Sequence, residues 1–165
     1  MTEAGKAPLC HSPERTNKMS RTVLGILRAA SQPDEPCVWK RACQRAKVTF
    51  RCESVNSAGE AVRYLSGTGE YGNRARHPMP AMVMVDLDLD WNEGYEALSW
   101  IRHHAGLRCL PVVAISQSKS QMDMKRAYDL GASSYLLKPV SFAGLVELVK
   151  LIDSFWFMLN QIPGT

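Results

Sequence analysis

Short apolar runs alternate with polar, amphipathic segments along most of the chain. Apolar runs of this length, bounded by turn-forming residues, predict strands buried on both faces of a parallel sheet. The segments between them carry apolar residues at helical spacing and predict helices that cover the sheet. The predicted strands are residues 22–29, 48–55, 82–86, 111–116 and 134–138. The predicted helices are residues 35–46, one that begins after Ser57, one that begins after Asn92, 120–130 and 141–160.

Local signals support several of these boundaries. Ser57 and Glu60 form the Ser-x-x-Glu pattern of a capping box. Asn92 is a residue type that caps helix N-termini, and Gly131 stands where a helix favours a left-handed residue. Residues 66–80 contain five glycines or prolines and predict a long loop before the third strand.

Five strands that alternate with five helices predict a mostly parallel sheet with right-handed crossovers. We therefore expect an α/β fold, a doubly wound three-layer α/β/α sandwich around a five-stranded parallel sheet, over residues 21–165. Residues 1–20 are polar, contain two prolines and lack periodicity, which predicts a disordered N-terminal extension.

Composition excludes several classes of protein. The formal charge is +4, and the basic residues are scattered, whereas a nucleic-acid site needs them clustered. Five cysteines without a C-x-x-C pair argue against a disulfide framework and a zinc site, and favour a reducing cytoplasm. No apolar stretch reaches the roughly 20 residues that span a bilayer. We therefore expect a soluble, cytoplasmic protein that binds neither nucleic acid nor membrane.

Candidate chemistry lies where three of the predicted strands end. Asp86, Ser116 and Lys138 each come at the end of an apolar run. The carboxyl ends of parallel strands share one edge of the sheet, so a carboxylate, a hydroxyl and an ammonium group are expected to converge there. Taken singly, each is better explained as a loop residue, and Asp86 could also be a cap of the next helix; the three together, each directly after an apolar run, favour a site.

These residues also carry a resemblance to a known family. Over about residues 22–160 the chain resembles the receiver domain of two-component response regulators. The matching stretches are Val83–Leu89 with Glu93-Gly94, Pro111–Ser116, and Leu130–Val140 with its Gly-Ala, aromatic and Lys-Pro residues. Gly69–Asn73, and Phe142 together with the tail from Asp153, resemble the single-domain regulators that partner bacterial and cyanobacterial phytochrome histidine kinases.

The resemblance implies a flavodoxin-like sheet of strand order 2-1-3-4-5 and a function in a phosphorelay, not as an enzyme. Asp86 would be the phosphoacceptor, receiving a phosphoryl group from a sensor histidine kinase. Lys138 and Ser116 would stabilise the phosphoryl group, and Tyr135 would report the state of Ser116. Asp86 and the backbone carbonyl of Asp88 would hold Mg²⁺, and the peptide bond from Lys138 to Pro139 would be cis.

One departure from the family pattern concerns the metal. The acidic pair that holds Mg²⁺ in receiver domains falls here on Ala30 and Ser31, which cannot ligate as carboxylates. Asp34 and Glu35 are better explained as acids near a helix N-terminus. We therefore expect weakened Mg²⁺ binding and slow or absent phosphorylation. The alternative is a pseudo-receiver that acts as a phosphorylation-independent interaction and dimerisation module; a flavoprotein or enzyme is disfavoured because no Gly-rich phosphate loop is present.

The last predicted helix carries a wider apolar face than one side of a sheet needs. Part of this face could pack under the first helix. The alternative, which the resemblance favours, is a symmetric homodimer. Its candidate interface residues are Phe142, Phe155, Trp156 and Leu159. Because the sequence ends soon after this helix, we expect a receiver that signals by binding, without an output domain.

Overall fold

The computed structural model of the protein describes residues 24–30, 35–89 and 92–160. The strands are β1 (Leu24–Ala29), β2 (Cys52–Val55), β3 (Pro80–Asp86), β4 (Val112–Ser116) and β5 (Ser134–Leu137). The helices are α1 (Glu35–Ala46), α2 (Ala58–Ser66), α3 (Glu93–His103), α4 (Gln121–Asp129) and α5 (Phe142–Ile152). Short 3₁₀ helices span Gly69–Gly72 and Ala105–Leu107, and a π-helical segment spans Asp153–Leu159.

The strands form one parallel sheet in the order β2-β1-β3-β4-β5. This is the predicted doubly wound, flavodoxin-like topology, and the fold prediction is confirmed. Helices α1 and α5 pack on one face of the sheet, and α2, α3 and α4 pack on the other. The central strand β3 contributes side chains to both faces of the sheet. Val83 and Val85 lie in the core under α2, α3 and α4, and Met82 and Met84 lie in the core under α1 and α5.

The helix ends follow the predicted signals in part. Ser57 Oγ accepts the Glu60 N–H at 3.0 Å, and a Glu60 carboxylate oxygen accepts the Asn56 N–H at 2.7 Å. Gly131 adopts a φ of 96° after α4. The prediction for Asn92 is wrong: its φ is 63°, its side chain caps nothing in α3, and its Oδ1 accepts a hydrogen bond from Arg126 at 3.1 Å.

The second strand is shorter than the predicted 48–55, because residues before Cys52 form hydrogen bonds outside the regular pairing with β1. Val48 donates to the Cys43 carbonyl and so closes the end of α1. The Arg51 carbonyl accepts the N–H groups of both Gly25 and Ile26, at 2.9 and 3.0 Å. Regular pairing with β1 begins only at Cys52.

The last helix differs from the single α-helix predicted over 141–160. It changes from α to π winding after Ile152, so each turn takes in more residues. At this point the Asp153 carboxylate accepts the Thr49 hydroxyl at 2.8 Å. Further along, Phe157 stacks on Phe50 with ring centroids 4.8 Å apart. The wider winding therefore accompanies docking of the tail on the α1–β2 connection.

Three predictions concern parts of the chain outside the described residues. They are the disordered extension over residues 1–20, Ser31 of the degenerate acidic pair, and Asp34. Within the described ranges, no helix is long and apolar enough to cross a membrane.

Candidate functional site

The parallel sheet brings the three predicted rim residues together. Strands β3, β4 and β5 are neighbours, and the ladder continues beyond their ends. The Leu87 N–H donates to Ile115, and the Lys138 N–H donates to Ser116, at 2.9 and 2.8 Å. Asp86, Ser116 and Lys138 therefore leave the sheet side by side at one edge.

Asp86 and Lys138 form a buried ion pair at this edge. The Lys138 ammonium lies 2.6 Å from Asp86 Oδ2, and the two side chains are 14% and 3% exposed. The other oxygen, Asp86 Oδ1, accepts the Asp88 N–H at 2.9 Å. Gly94 permits this close packing, because a Cβ there would lie 2.4 Å from the Asp86 carbonyl oxygen.

The Asp88 side chain joins the site, which the sequence did not reveal. Its Oδ1 accepts the Ser116 hydroxyl at 2.5 Å, and its Oδ2 accepts the Gln117 N–H at 2.9 Å. The Lys138 ammonium lies 3.2 Å from the same Oδ2. Burial alone would raise the pKa of Asp88, but these two hydrogen bonds and the Lys138 charge outweigh it and hold the pKa below its usual value. The available signal was a carboxylate two residues beyond the strand, which was expected to add negative charge near a metal but not to bind Ser116, Gln117 and Lys138.

Tyr135 connects to Ser116 through one intermediate residue. Its ring packs against the core under α2, α3 and α4, and its hydroxyl donates to the Ser118 carbonyl at 2.9 Å. The Ser118 N–H donates to Ser116 Oγ at 3.0 Å. The β4–α4 connection therefore links the tyrosine to the rim, and Ser118 is a member of this link that sequence reasoning missed.

The described residues do not fit Mg²⁺ well. Ala30, one of the two acidic-pair positions, is buried at the end of β1 and offers a methyl group as its side chain. Asp86 and Asp88 are both paired with Lys138, so an ammonium group already lies where their charges meet. Mg²⁺ requires an octahedron of oxygen ligands. Over the described residues, no three His, Cys, Asp or Glu side chains cluster as metal ligands.

The expectation of a cis bond between Lys138 and Pro139 is wrong. No peptide bond in the described ranges is cis. The trans isomer is the intrinsically preferred one for a bond before proline. Lys138 reaches the Asp86 carboxylate from this trans backbone.

An apolar surface lies on α5 and the π-helical tail. Of the predicted interface residues, Phe142, Phe155 and Leu159 are exposed. Trp156 is half-buried against the core between the sheet, α1 and α5. Leu151 and Met158 are exposed beside them and were not predicted. We call Leu151, Phe155, Met158 and Leu159 the tail patch.

The chain matches the family model of the response regulator receiver domain over residues 38–150. This span begins in α1, ends in α5 and contains Asp86, Ser116 and Lys138. The probable methanogenesis regulatory protein FilR2 of Methanothrix harundinacea is 39% identical over 124 residues, which are 75% of this chain and 77% of FilR2.

Solved structures of response regulators are similar over most of the chain. The response regulator RPA3017, from red light signalling of R. palustris, matches with a TM-score of 0.80 at 26% identity. The phosphorylated cyanobacterial phytochrome response regulator RcpA matches with a TM-score of 0.75, also at 26% identity. Each comparison covers 86% of this chain and 100% of the other.

Proposed function

The chain belongs to the response regulator receiver domain family, and we propose that it accepts a phosphoryl group on Asp86 from a histidine kinase. Receiver domains are the partners of histidine kinases in two-component signalling. The observation that carries the proposal is the buried Asp86 carboxylate, which the Lys138 ammonium approaches to 2.6 Å at the carboxyl edge of the sheet.

The proposed reaction is transfer between a kinase histidine and Asp86. A carboxylate oxygen of Asp86 attacks the phosphorus of the phosphohistidine and forms a P–O bond. The P–N bond breaks, and its electron pair stays on the imidazole nitrogen. Such a transfer asks the protein mainly for positioning and charge stabilisation. Lys138 supplies a positive charge to the phosphoryl oxygens, and Ser116 supplies a hydroxyl donor.

Receiver domains bind Mg²⁺, and for this chain we expect weak binding. Two features of the site support that expectation. Ala30 provides no carboxylate at the end of β1, and the Lys138 ammonium already contacts both Asp86 and Asp88. The positive charge that the reaction needs then comes from Lys138, and phosphorylation is expected to be slow.

The proposed kinase is of the phytochrome type. Similarity to RPA3017 of red light signalling and to the phytochrome response regulator RcpA supports this choice. Purified kinases of phytochrome and non-phytochrome type, each prelabelled with phosphate and mixed separately with the protein, would test it. Faster transfer from the phytochrome kinase is the expected result, and equal transfer from both would contradict it.

The proposed oligomer is a symmetric homodimer formed through the tail patch. The patch residues recur at intervals of three and four along one helical segment and are 53–73% exposed. A large exposed apolar patch usually marks a contact site. Under twofold symmetry such a patch meets its own copy, so one helix face is sufficient to build the interface.

The proposed function is tested with the purified protein and acetyl phosphate, read by intact mass, with and without Mg²⁺. We expect one added phosphoryl group, a small effect of Mg²⁺, and no addition to the Asp86→Asn variant. Asp129→Asn is a matched control, because it removes an exposed carboxylate on α4 that pairs with Lys125, away from the rim. Equal labelling of Asp86→Asn would reject Asp86 as the acceptor.

A pseudo-receiver is the second candidate. Ala30 at the acidic-pair position favours it, because that position lacks a metal-binding carboxylate. In this case the protein would gain no phosphate from acetyl phosphate or from any kinase. It would still dimerise and bind its partner, and Asp86→Asn would leave both properties unchanged.

A further inference from the structure

Asp88 makes contacts that differ from those of an ordinary turn carboxylate. Its two oxygens receive the Ser116 hydroxyl, the Gln117 N–H and the Lys138 ammonium, at 2.5, 2.9 and 3.2 Å. The three donors come from the end of β4, the β4–α4 connection and the residue after β5. A single carboxylate therefore joins three separate parts of the rim.

One of these donors, the Lys138 ammonium, also contacts the Asp86 carboxylate, and the other two lie on the same edge of the sheet. Lys138 contacts both acids, at 2.6 Å to Asp86 and 3.2 Å to Asp88. Asp88 also donates its own N–H to Asp86 Oδ1. A phosphoryl group on Asp86 would carry close to two negative charges and three acceptor oxygens at the mouth of this pocket. It would need the donors that Asp88 already engages.

We propose that the Asp88 carboxylate is a built-in competitor for the phosphoryl site, holding the donors of the rim until a phosphoryl group displaces it. The proposal rests on the proposed function, since it assigns a regulator to the Asp86 site. Charge-assisted hydrogen bonds are the stronger kind, so releasing Asp88 adds to the barrier for phosphorylation.

Electrostatic repulsion explains why transfer of a phosphoryl group to Asp86 would displace the Asp88 carboxylate. In the unphosphorylated site the single positive charge of Lys138 contacts two carboxylates. A phosphoryl group adds further negative charge within a few ångströms of Asp88, and like charges at such distances repel strongly in a partly buried site. Asp88 then leaves, and Ser116 and Gln117 turn to the phosphoryl oxygens.

Displacement would also reach the surface of the protein. The Ser118 N–H is bonded to Ser116, and the Ser118 carbonyl accepts the Tyr135 hydroxyl. Movement of the Ser116 hydroxyl from Asp88 to a phosphoryl group therefore acts on the β4–α4 connection. In the unphosphorylated protein Asp88 keeps this connection in an anion-bound arrangement.

The test compares phosphorylation rates of Asp88→Ala, Asp88→Asn, Asp129→Asn and the unsubstituted protein with acetyl phosphate. In each reaction an Asp86 oxygen attacks phosphorus, the bond from phosphorus to the acetate oxygen breaks, and acetate leaves with the electron pair. We expect both Asp88 variants to react about tenfold faster or more, equivalent to roughly 1.4 kcal/mol of barrier. Asp129→Asn should match the unsubstituted protein.

The possible outcomes separate this inference from the proposed function. Equal or slower rates in both Asp88 variants, with labelling still dependent on Asp86, would overturn the competitor role and leave the acceptor role intact. Absence of phosphate on every variant would overturn the proposed function, and the competitor role with it. Labelling of the Asp88 variants alone would support the competitor role but contradict the expected labelling of the unsubstituted protein.

Amide hydrogen exchange gives a second test that needs no phosphorylation. The Gln117 N–H is protected by Asp88, so its exchange should accelerate in Asp88→Ala while the amides of β3 and β4 remain unchanged. Unchanged exchange at Gln117 would overturn the proposed contact. The isosteric Asp88→Asn serves in the rate measurement if Asp88→Ala does not fold, because it removes the negative charge and one of the two acceptor oxygens.

Discussion

At the residue scale, Lys138 connects the two carboxylates of the site, because its ammonium group contacts both Asp86 and Asp88. The Lys138 and Asp86 side chains are 14% and 3% exposed, so water contributes little to their solvation. Breaking a buried ion pair by removing one partner leaves the other charge without compensation. Lys138 is therefore expected to stabilise the fold, in addition to the role that the proposed phosphotransfer gives it.

The prediction is that Lys138→Met lowers the free energy of unfolding by about 3 kcal/mol at neutral pH. Lys125→Met is the control, since Lys125 forms an exposed pair with Asp129 on α4 and should change stability by about 1 kcal/mol or less. Urea unfolding followed by circular dichroism measures both.

Adding Asp86→Asn to Lys138→Met should recover part of the lost stability, because one of the two carboxylates that lose the Lys138 charge is then removed. Additive losses in the double variant would contradict the coupling between Asp86 and Lys138.

At the scale of elements, Arg102 ties α3 to the β4 and β5 side of the molecule. Its guanidinium donates to the carbonyl oxygens of Gly131, Arg108 and Leu110, at 2.5, 3.0 and 2.8 Å, and to Ser133 Oγ at 3.0 Å. Gly131 gives it room, because a Cβ there would lie 2.3 Å from the Arg102 side chain. One side chain thus satisfies three carbonyl groups in the connections around β4.

We expect Arg102→Ala to destabilise the protein by about 2 kcal/mol, since several hydrogen bonds of roughly 1 kcal/mol are lost together. Arg102→Lys should recover only a minor part, because an ammonium group lacks the planar fork of five donors. Arg108→Ala is the control, as that exposed residue contributes only its backbone carbonyl. Thermal unfolding measures the stability of each variant. If Arg102→Lys were as stable as the unsubstituted protein, the planar guanidinium would not be the source of the stabilisation.

A second link between elements joins α2 to the 3₁₀ helix at Gly69–Gly72. The Tyr71 hydroxyl donates to Glu60 Oε1 at 2.6 Å. Burial alone would raise the pKa of Glu60, but the hydrogen bonds from Tyr71 and the Asn56 N–H, with the Arg63 charge, hold it below its ordinary value of 4.5. Glu60 therefore contributes stability that is complete above pH 4.5 and is lost as pH falls through its lower folded pKa.

Tyr71→Phe should lower stability by about 1 kcal/mol at pH 7. The difference from the unsubstituted protein should be smaller at pH 3 than at pH 7, because Glu60 takes up a proton as the pH falls through its lowered folded pKa. Tyr128→Phe is the control, because the Tyr128 hydroxyl accepts only a neutral N–H, from Tyr135. The midpoints of urea unfolding at pH 7 and pH 3 measure this difference. A Tyr71→Phe effect of the same size at both pH values would contradict the hydrogen bond from Tyr71 to the ionised Glu60 carboxylate.

At the scale of the whole molecule, hydrophobic periodicity was sufficient for the parallel sheet, the placement of α1 and the meeting of Asp86, Ser116 and Lys138, whereas the strand order came from the family resemblance. It was insufficient where tertiary contacts override local preference. Asn92 has a capping side chain but pairs with Arg126, and Asp153 falls where the tail changes to π winding beside Thr49. The Asp88 contacts were out of reach for the same reason, since their three donors meet only after the sheet has assembled.

The tail patch is the surface through which we propose that two copies of the chain form a dimer. Its four residues, Leu151, Phe155, Met158 and Leu159, are 53–73% exposed on one segment. A second copy would bury this area by an isologous contact and would leave the phosphoryl rim, at the carboxyl edge of the sheet, open to a kinase. A dimer through the tail is therefore compatible with phosphotransfer to each subunit.

We expect Phe155→Glu to convert the dimer to a monomer, because an interfacial charge close to the twofold axis meets its own copy and loses water without gaining a partner. Met122→Glu is the matched control: Met122 is 81% exposed on α4, so the same change there should leave the dimer intact. Analytical ultracentrifugation over a concentration series measures the mass. If Phe155→Glu and the unsubstituted protein have the same mass at every concentration, the tail patch is not the interface, and the histidine kinase becomes the preferred partner for this surface.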